Sequence, residues 1–279
     1  MVDIVKFLQK IKVSYEAAIE NGGASAVQSE IRSSRIIGNL HEWVKESFVE
    51  CGVNPNKIFP KIGETRPEIT LAGKYKFKSQ DVMILPKPPK GEKIELGILR
   101  GQIDKVGQSL SERAISVNVR SQLSSLAKNF DTLFERTYAE ATNLHERIPN
   151  LIMGELYLVP TKAYDPNAMK YRKVKFEEKL PATFIRSFAG IANRKSVNNE
   201  FTSYERVCLL IVNFEENPPR IITENDELIS LGILDRNSES GKYESSISHL
   251  NFAEDLLKTY SERHGSIEDL RNGDSIFHF

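Results

Sequence analysis

Residues 114–147 read AISVNVRSQLSSLAKNFDTLFERTYAEATNLHER, and their hydrophobic period changes part-way along. Over 114–120 the residues alternate, with Ile115, Val117 and Val119 on one side and Ala114, Ser116, Asn118 and Arg120 on the other. That period of two, carried by β-branched residues, is a strand with one buried face. From Leu123 the spacing lengthens to threes and fours through Leu126, Phe130, Leu133, Ala141 and Leu144. That is an amphipathic helix. The segment therefore predicts a strand that delivers an exposed polar row, Ser116, Asn118, Arg120 and Gln122, to the start of a helix.

The helix carries a second pattern. At roughly 100° per residue, Asn129, Arg136, Glu140, Asn143 and Arg147 fall within about one 60° sector. Such a stripe fits a solvated face with local ion pairs, and beside the polar row it also fits a binding site.

The charges balance, 38 basic against 38 acidic side chains. This excludes a generally basic nucleic-acid binder but not a local basic cleft. Cys51 and Cys208 form no CxxC and no disulfide framework, which points to an intracellular compartment. The amphipathic N-terminus lacks a signal-peptide core, and no run approaches the ~18 apolar residues of a membrane span. A soluble, cytoplasmic protein is expected.

Taken in order, 2–20 reads as a helix ended by Gly22-Gly23, and a second helix follows from about Ser25 to Cys51. The polar start of that second helix carries Glu30, Arg32 and Arg35, suited to a metal and a phosphate or, equally, to local ion pairs. Residues 53–70 read as irregular. Lys74, Lys76 and Lys78 alternate with Tyr75 and Phe77, as in a strand with one basic face. Asp81 opens the apolar run Val82–Leu85, where an unpaired charge is costly. Residues 151–159 form a buried strand with Glu155 in its middle, and 161–179 a basic loop with Lys170, Arg172 and Lys173. Residues 181–192 are helical, 206–214 form the most apolar strand, and 236–246 are loop-like. A last amphipathic helix ends at Gly265. These elements make one α/β domain with a mixed central sheet flanked by helices, with a core over about 25–215 and helical additions at both ends.

No P-loop, G-x-G-x-x-G, G-x-S-x-G or H-E-x-x-H motif is present, and the five histidines show no ligand spacing. What remains is Asp81 at a strand, then the strand with the polar row, then the helix. That order resembles the PD-(D/E)XK nuclease superfamily, especially type II restriction endonucleases. There, a helix precedes a strand bearing an Asp, a second strand carries acid-x-Lys, and a helix follows. The likeness lies in Asn118-Val119-Arg120-Ser121-Gln122, Asn129-Phe130, Glu135-Arg136 and Glu140-Ala141, and it covers roughly half the chain, about residues 25–160.

The resemblance implies a restriction-endonuclease-like fold and a Mg²⁺-dependent homodimeric endonuclease of a restriction-modification system. Such an enzyme hydrolyses double-stranded DNA at specific sequences. It places Asp81, Asn118, Arg120, Gln122 and Glu30 in the catalytic site, with Asp81, Asn118 and Glu30 toward the metal. Arg32, Arg35, Lys78, Asn129, Arg136, Lys170, Arg172 and Lys173 become candidate DNA contacts. Two departures stand out: Asn118 replaces the family's acid and Arg120 its lysine. Asn offers Mg²⁺ a weaker oxygen, and Arg stays protonated and cannot act as a base. That leaves the proton to a metal-activated water or one held by Gln122, and the missing carboxylate to Glu30, ranked ahead of Glu140. Two other readings stay open: a catalytically degenerate DNA-binding relative, and an unrelated enzyme that clamps an anionic small molecule with Arg120 and Arg136.

Overall fold

The two most apolar runs of the chain lie side by side as parallel strands, because a strand covered on both faces needs no polar alternation. The computed structural model describes residues 2–33, 35–236 and 247–272. Its elements begin with α1 (Val5–Arg32), α2 (Arg35–Glu50), β1 (Ile58–Phe59), β2 (Ile69–Ala72), β3 (Phe77–Gln80), β4 (Val82–Ile84), β5 (Glu92–Lys93), β6 (Ile103–Asp104) and α3 (Gln108–Ser111). They continue with β7 (Ile115–Ser121), α4 (Leu126–His145), β8 (Ile152–Pro160), β9 (Lys162–Tyr164), α5 (Pro166–Lys170), β10 (Phe176–Lys179), α6 (Ala182–Gly190) and β11 (Arg206–Asn213). The last are β12 (Arg220–Ile222), α7 (Asn225–Ser230), α8 (Phe252–His264) and α9 (Glu268–Arg271). The expected loop over 236–246 falls, from 237 on, outside the described residues.

The main sheet has the order β1-β4-β7-β8-β11-β12. β7, β8 and β11 run parallel, while β1, β4 and β12 pair antiparallel with their neighbours. The sheet is thus mixed and flanked by helices, an α/β architecture. Side chains alternate across it. Ile115, Val117, Val119, Ile152, Leu156 and Leu158 share a core with α1, α2 and α8. Met153, Tyr157, Val159, Leu209 and Ile211 share another with α4 and α6. Phe130 and Phe134 of α4 meet Phe184 and Phe188 of α6 edge-on or tilted, at 4.5 and 5.7 Å between ring centroids. Gly154 lets α8 lie tight on β8: a Cβ there would come within 2.9 Å of Leu256 Cδ1. No helix among the described residues is long and apolar enough to cross a membrane.

Several local expectations change. The helix break expected at Gly22-Gly23 is present, since Gly23 is non-helical and α1 is two helical pieces joined there. The helix expected from about Ser25 to Cys51 is itself divided, one piece ending at Arg32 and α2 beginning at Arg35. Residues 53–70 are not wholly irregular but supply β1 and β2. Lys74 and Lys76 sit in a hairpin turn, because β2 pairs β3 with Ala72 opposite Phe77. Their basic face is not free: Lys74 pairs with Glu146 and Lys78 with Glu140 of α4. The Asn143 carboxamide clamps the same turn, accepting from the Tyr75 and Lys76 N–H groups and donating to the Lys76 carbonyl. The loop 161–179 contains β9, α5 and β10.

The kink in α1 is a contact device. Gly23 has φ +62° and ψ −150°, and a Cβ there would lie 2.6 Å from the Met169 carbonyl oxygen at the end of α5. Both the backbone conformation and the close approach demand glycine. Gly23→Ala is expected to destabilise the protein by about 1–3 kcal/mol, read as a lower urea midpoint. Gly38→Ala, where a Cβ would meet nothing within 4 Å, should be neutral or stabilising.

Candidate functional site

On the α4 face of the sheet, the polar row of β7 meets a carboxylate from the next strand. β7 and β8 are in parallel register with Asn118 opposite Glu155, so both side chains rise from the same face. α4 crosses above them and brings Glu140. The antiparallel partner β4 is preceded by Asp81, placed beside the middle of β7 by the pairing of Val82 with Val117.

Arg120 is the centre of this cluster. Its Nε donates to Glu155 Oε1 at 2.7 Å and its Nη2 to Glu140 Oε2 at 2.8 Å. Lys78 Nζ reaches the same Glu140 oxygen at 3.0 Å. Asp81 Oδ2 accepts the Val119 N–H at 2.8 Å. Glu155 is fully buried, Glu140 is 5% exposed and Asn118 2%. Three polar atoms here are buried with no hydrogen-bond partner: Glu155 Oε2, Glu140 Oε1 and Asn118 Nδ2. Buried polar atoms are nearly always paired, so the two carboxylate oxygens, Glu155 Oε2 and Glu140 Oε1, stand out as open acceptors in one cluster.

The electrostatics agree. Three carboxylates, Asp81, Glu140 and Glu155, face two cations, Arg120 and Lys78. Burial pushes Glu155 up to about 8 against the pull of Arg120, and the charges of Glu140 and Asp81 push the same way. Burial also raises Asp81, offset by the Val119 N–H and by Arg120 and Lys78. For Arg120 burial works against the charge, but Glu155 and its neighbours outweigh it and raise its affinity for the proton. One proton on Glu155 makes the cluster neutral.

A second buried cluster supplies the contrast. Glu205, just before β11, bonds Arg194 at 3.0 Å, Arg263 at 2.6 Å and the Met153 N–H at 2.7 Å, with His145 Nε2 at 3.6 Å. Despite burial, which raises it, these partners pull Glu205 down to about 2. Neither Glu205 oxygen is left over, and the cluster ties α4, β8, α8 and the 194–204 loop together. It is a structural knot.

The sequence-predicted residues divide accordingly. Asp81, Asn118 and Arg120 are brought together, and Lys78 joins them as a partner of Glu140. The polar row is not exposed: Ser116 is buried and bonded to Gln80, because β8 and α4 cover it. Gln122 is not free to hold a water. Its Nε2 donates to the Ser125 and Leu126 carbonyls and its Oε1 accepts from Tyr157, so it fixes the corner between β7 and α4. Glu30 does not join the cluster; both its oxygens are bonded to Arg35, at 2.9 and 2.7 Å, as helix α1 ends. That pair also engages the Arg35 guanidinium. Arg32, Asn129, Arg136, Lys170, Arg172 and Lys173 are all exposed, and Lys170 bonds Asn167. Glu155 is the member that sequence reasoning left without a role. Its signal was present: a carboxylate inside the apolar run LIMGELYLVP must have a reason to be there.

The donor set suits a hard cation. Asp81, Asn118, Glu155 and Glu140 carry the oxygens Mg²⁺ takes, and two of the carboxylates hold an unpartnered oxygen. Arg120 lies among them, and no group of three or more His, Cys, Asp or Glu side chains among the described residues converges as a ready metal site. The fit is therefore one of donor chemistry.

Because the folded pKa of Glu155 stands above its ordinary 4.5, the folded state binds the extra proton. Its stabilising contribution is full below about 4.5 and is lost as pH rises to about 8. Glu155→Gln mimics the protonated form. Relative to wild type, the variant should gain stability across pH 5–8, on the order of a few kcal/mol at most, in urea unfolding at a series of pH values. Parallel pH curves for the two proteins would show that Glu155 stays charged in the folded state.

No family model matches the chain, and neither a curated protein nor a solved structure matches it, so the functional reading rests on the side chains themselves.

Proposed function

We propose that the protein is a Mg²⁺-dependent endonuclease that cuts double-stranded DNA at specific sequences, in the manner of a type II restriction enzyme acting as a homodimer. The observation that carries the reading is the cluster of Asp81, Arg120, Glu155 and Glu140, with its orphaned carboxylate oxygens. The order of elements supports it: helix α2, a strand opened by Asp81, strand β7 with Asn118 and Arg120, then helix α4. This is the order of the nucleases the sequence resembles, and the restriction-endonuclease-like fold is part of the proposal.

In this reading Asp81, Asn118 and Glu155 hold the metal, and Glu155 replaces Glu30 as the second acid. Held by these residues, Mg²⁺ would supply Lewis-acid polarisation of the scissile phosphate and a more acidic attacking water. Arg120 is permanently charged and cannot take a proton. It is held by two carboxylates, with two of its five N–H donors in those bonds, and it stabilises the charge that grows on the phosphate. Lys78 and Glu140 orient it. Exposed Arg32, Asn129, Arg136, Lys170, Arg172 and Lys173 are the candidate contacts to the DNA backbone and bases.

A second reading has its own observation. Arg120 is tied to two carboxylates and stands where the resembled family keeps lysine, which favours a degenerate nuclease that binds DNA without cutting it.

Incubating plasmid or phage DNA with the protein and Mg²⁺ separates the two. Discrete fragments support the endonuclease; retardation without cutting supports the degenerate binder. For a cutting enzyme, Asp81→Ala should abolish cleavage and leave DNA binding intact. Arg120→Lys should retain part of the turnover that Arg120→Ala loses. Glu155→Gln should sharply raise the Mg²⁺ requirement, and Glu30→Gln should change nothing. Protons and Mg²⁺ compete for Glu155, so the wild-type Mg²⁺ requirement should fall as pH rises toward about 8. A strong effect of Glu30→Gln with none from Glu155→Gln would make Glu30, not Glu155, the second acid.

A further inference from the structure

A cleft of about 460 Å³ opens where β7 ends and α4 begins. Small-molecule sites typically span ~300–1,000 Å³. One wall is aliphatic and comes from Ile31, Ile36 and Ile37 around the α1–α2 junction; the opposite wall is Leu133 of α4. The rest of the lining is mixed: Ser121, Gln122, Leu123 and Ser124 after β7, Tyr15 of α1, and Asn129, Thr132 and Arg136 of α4. Ile31 is 55% exposed, a large apolar side chain left facing the cleft. Apolar side chains from α1, α2 and α4 with polar groups among them match a flat ligand with apolar faces and polar edges.

The cleft approaches the Arg120 cluster along two elements. On β7, Gln122 lies two residues on from Arg120, on the same face, and lines the cleft. On α4, Glu140 belongs to the cluster, and Arg136, one turn earlier, lines the cleft. A ligand in the cleft therefore presents one end to Arg136 and the cluster beyond it.

We propose that this cleft receives a single nucleotide, its base between the Ile36–Ile37 and Leu133 walls and its phosphate toward Arg136 and the cluster. The inference rests on the nuclease reading and deepens it: in a duplex, that nucleotide must leave the base stack. Extrusion gives up base stacking, recovered through apolar contact with the lining and hydrogen bonds to its polar groups that remain free. The Asn129 carboxamide, whose donor makes only a 3.4 Å contact to the Ser125 carbonyl, can address a base edge.

The test uses the intact protein and 2′-deoxynucleoside 5′-monophosphates, with binding read by calorimetry and saturation-transfer NMR. Deoxyribose 5-phosphate, which lacks a base, is the control. At least one mononucleotide should bind, and deoxyribose 5-phosphate should bind at least tenfold more weakly. Thr132→Trp fills the cleft from an exposed helix position, and Ile31→Glu places a carboxylate on its wall. Each should weaken mononucleotide binding at least tenfold with the melting transition retained, and the second stands if the first fails to fold. Equal binding of deoxyribose 5-phosphate, no mononucleotide binding, or unchanged binding in a folded variant overturns the proposal. DNA cleavage is scored separately. Cleavage without mononucleotide binding removes the nucleotide cleft and leaves the endonuclease. Mononucleotide binding without cleavage removes the endonuclease and leaves the cleft.

Discussion

The Arg120 guanidinium, held between Glu155 and Glu140, is the interaction on which the upper half of the molecule depends. It joins three elements: β7 carries it, β8 supplies the carboxylate in register beside it, and α4 supplies the carboxylate above it. Burying such a triad is costly. Its mutual attraction offsets the desolvation only where geometry and further hydrogen bonds are good. Here the offset is incomplete, because one oxygen on each carboxylate has no partner. A core built for stability alone would place apolar side chains at 118, 120 and 155, as it does at the neighbouring Val117, Val119 and Leu156.

The clusters around Glu155 and Glu205 use the same residue types for different ends. Around Glu205 every carboxylate oxygen is engaged, the acid is held strongly ionised, and elements distant in sequence are locked together. Around Glu155 the acid is pushed the other way, toward the proton. The difference lies in the count of partners: His145, two arginines and a backbone N–H converge on Glu205, against one arginine contact on Glu155. A site that can gain a cation or lose a proton without unfolding needs that shortfall.

The supports of the site are correspondingly rigid. Gln122 closes the turn from β7 into α4, and Glu178 of β10 accepts the Leu126 and Ala127 N–H groups, capping the start of α4. Asn143 pins the β2–β3 turn, and with it Lys78, against α4. The stripe on α4 thus changes role along its length. Asn129 and Arg136 are exposed, Glu140 enters the cluster, and Asn143 and Arg147 hold neighbouring backbone and Asp104.

Local periodicity in the sequence determined the strand over 114–120, the helix after it, the apolar strands over 151–159 and 206–214, and the helix ending at Gly265, though not the short α9 that follows it. Each is a short-range pattern with one physical meaning: which side chains share a face. The special position of Asp81 was legible for the same reason, as a charge at the mouth of an apolar strand. What only the tertiary structure decided is who meets whom. Whether Glu30, Glu140 or Glu155 stands beside Arg120 depends on strand order and register, which sequence spacing does not encode. Parallel pairing of β7 with β8 sets Asn118 opposite Glu155, while the end of α1 commits Glu30 to Arg35. The exposed polar row became a buried one for a related reason: alternation tells which residues share a face, and only the helix laid over that face decides whether it meets water.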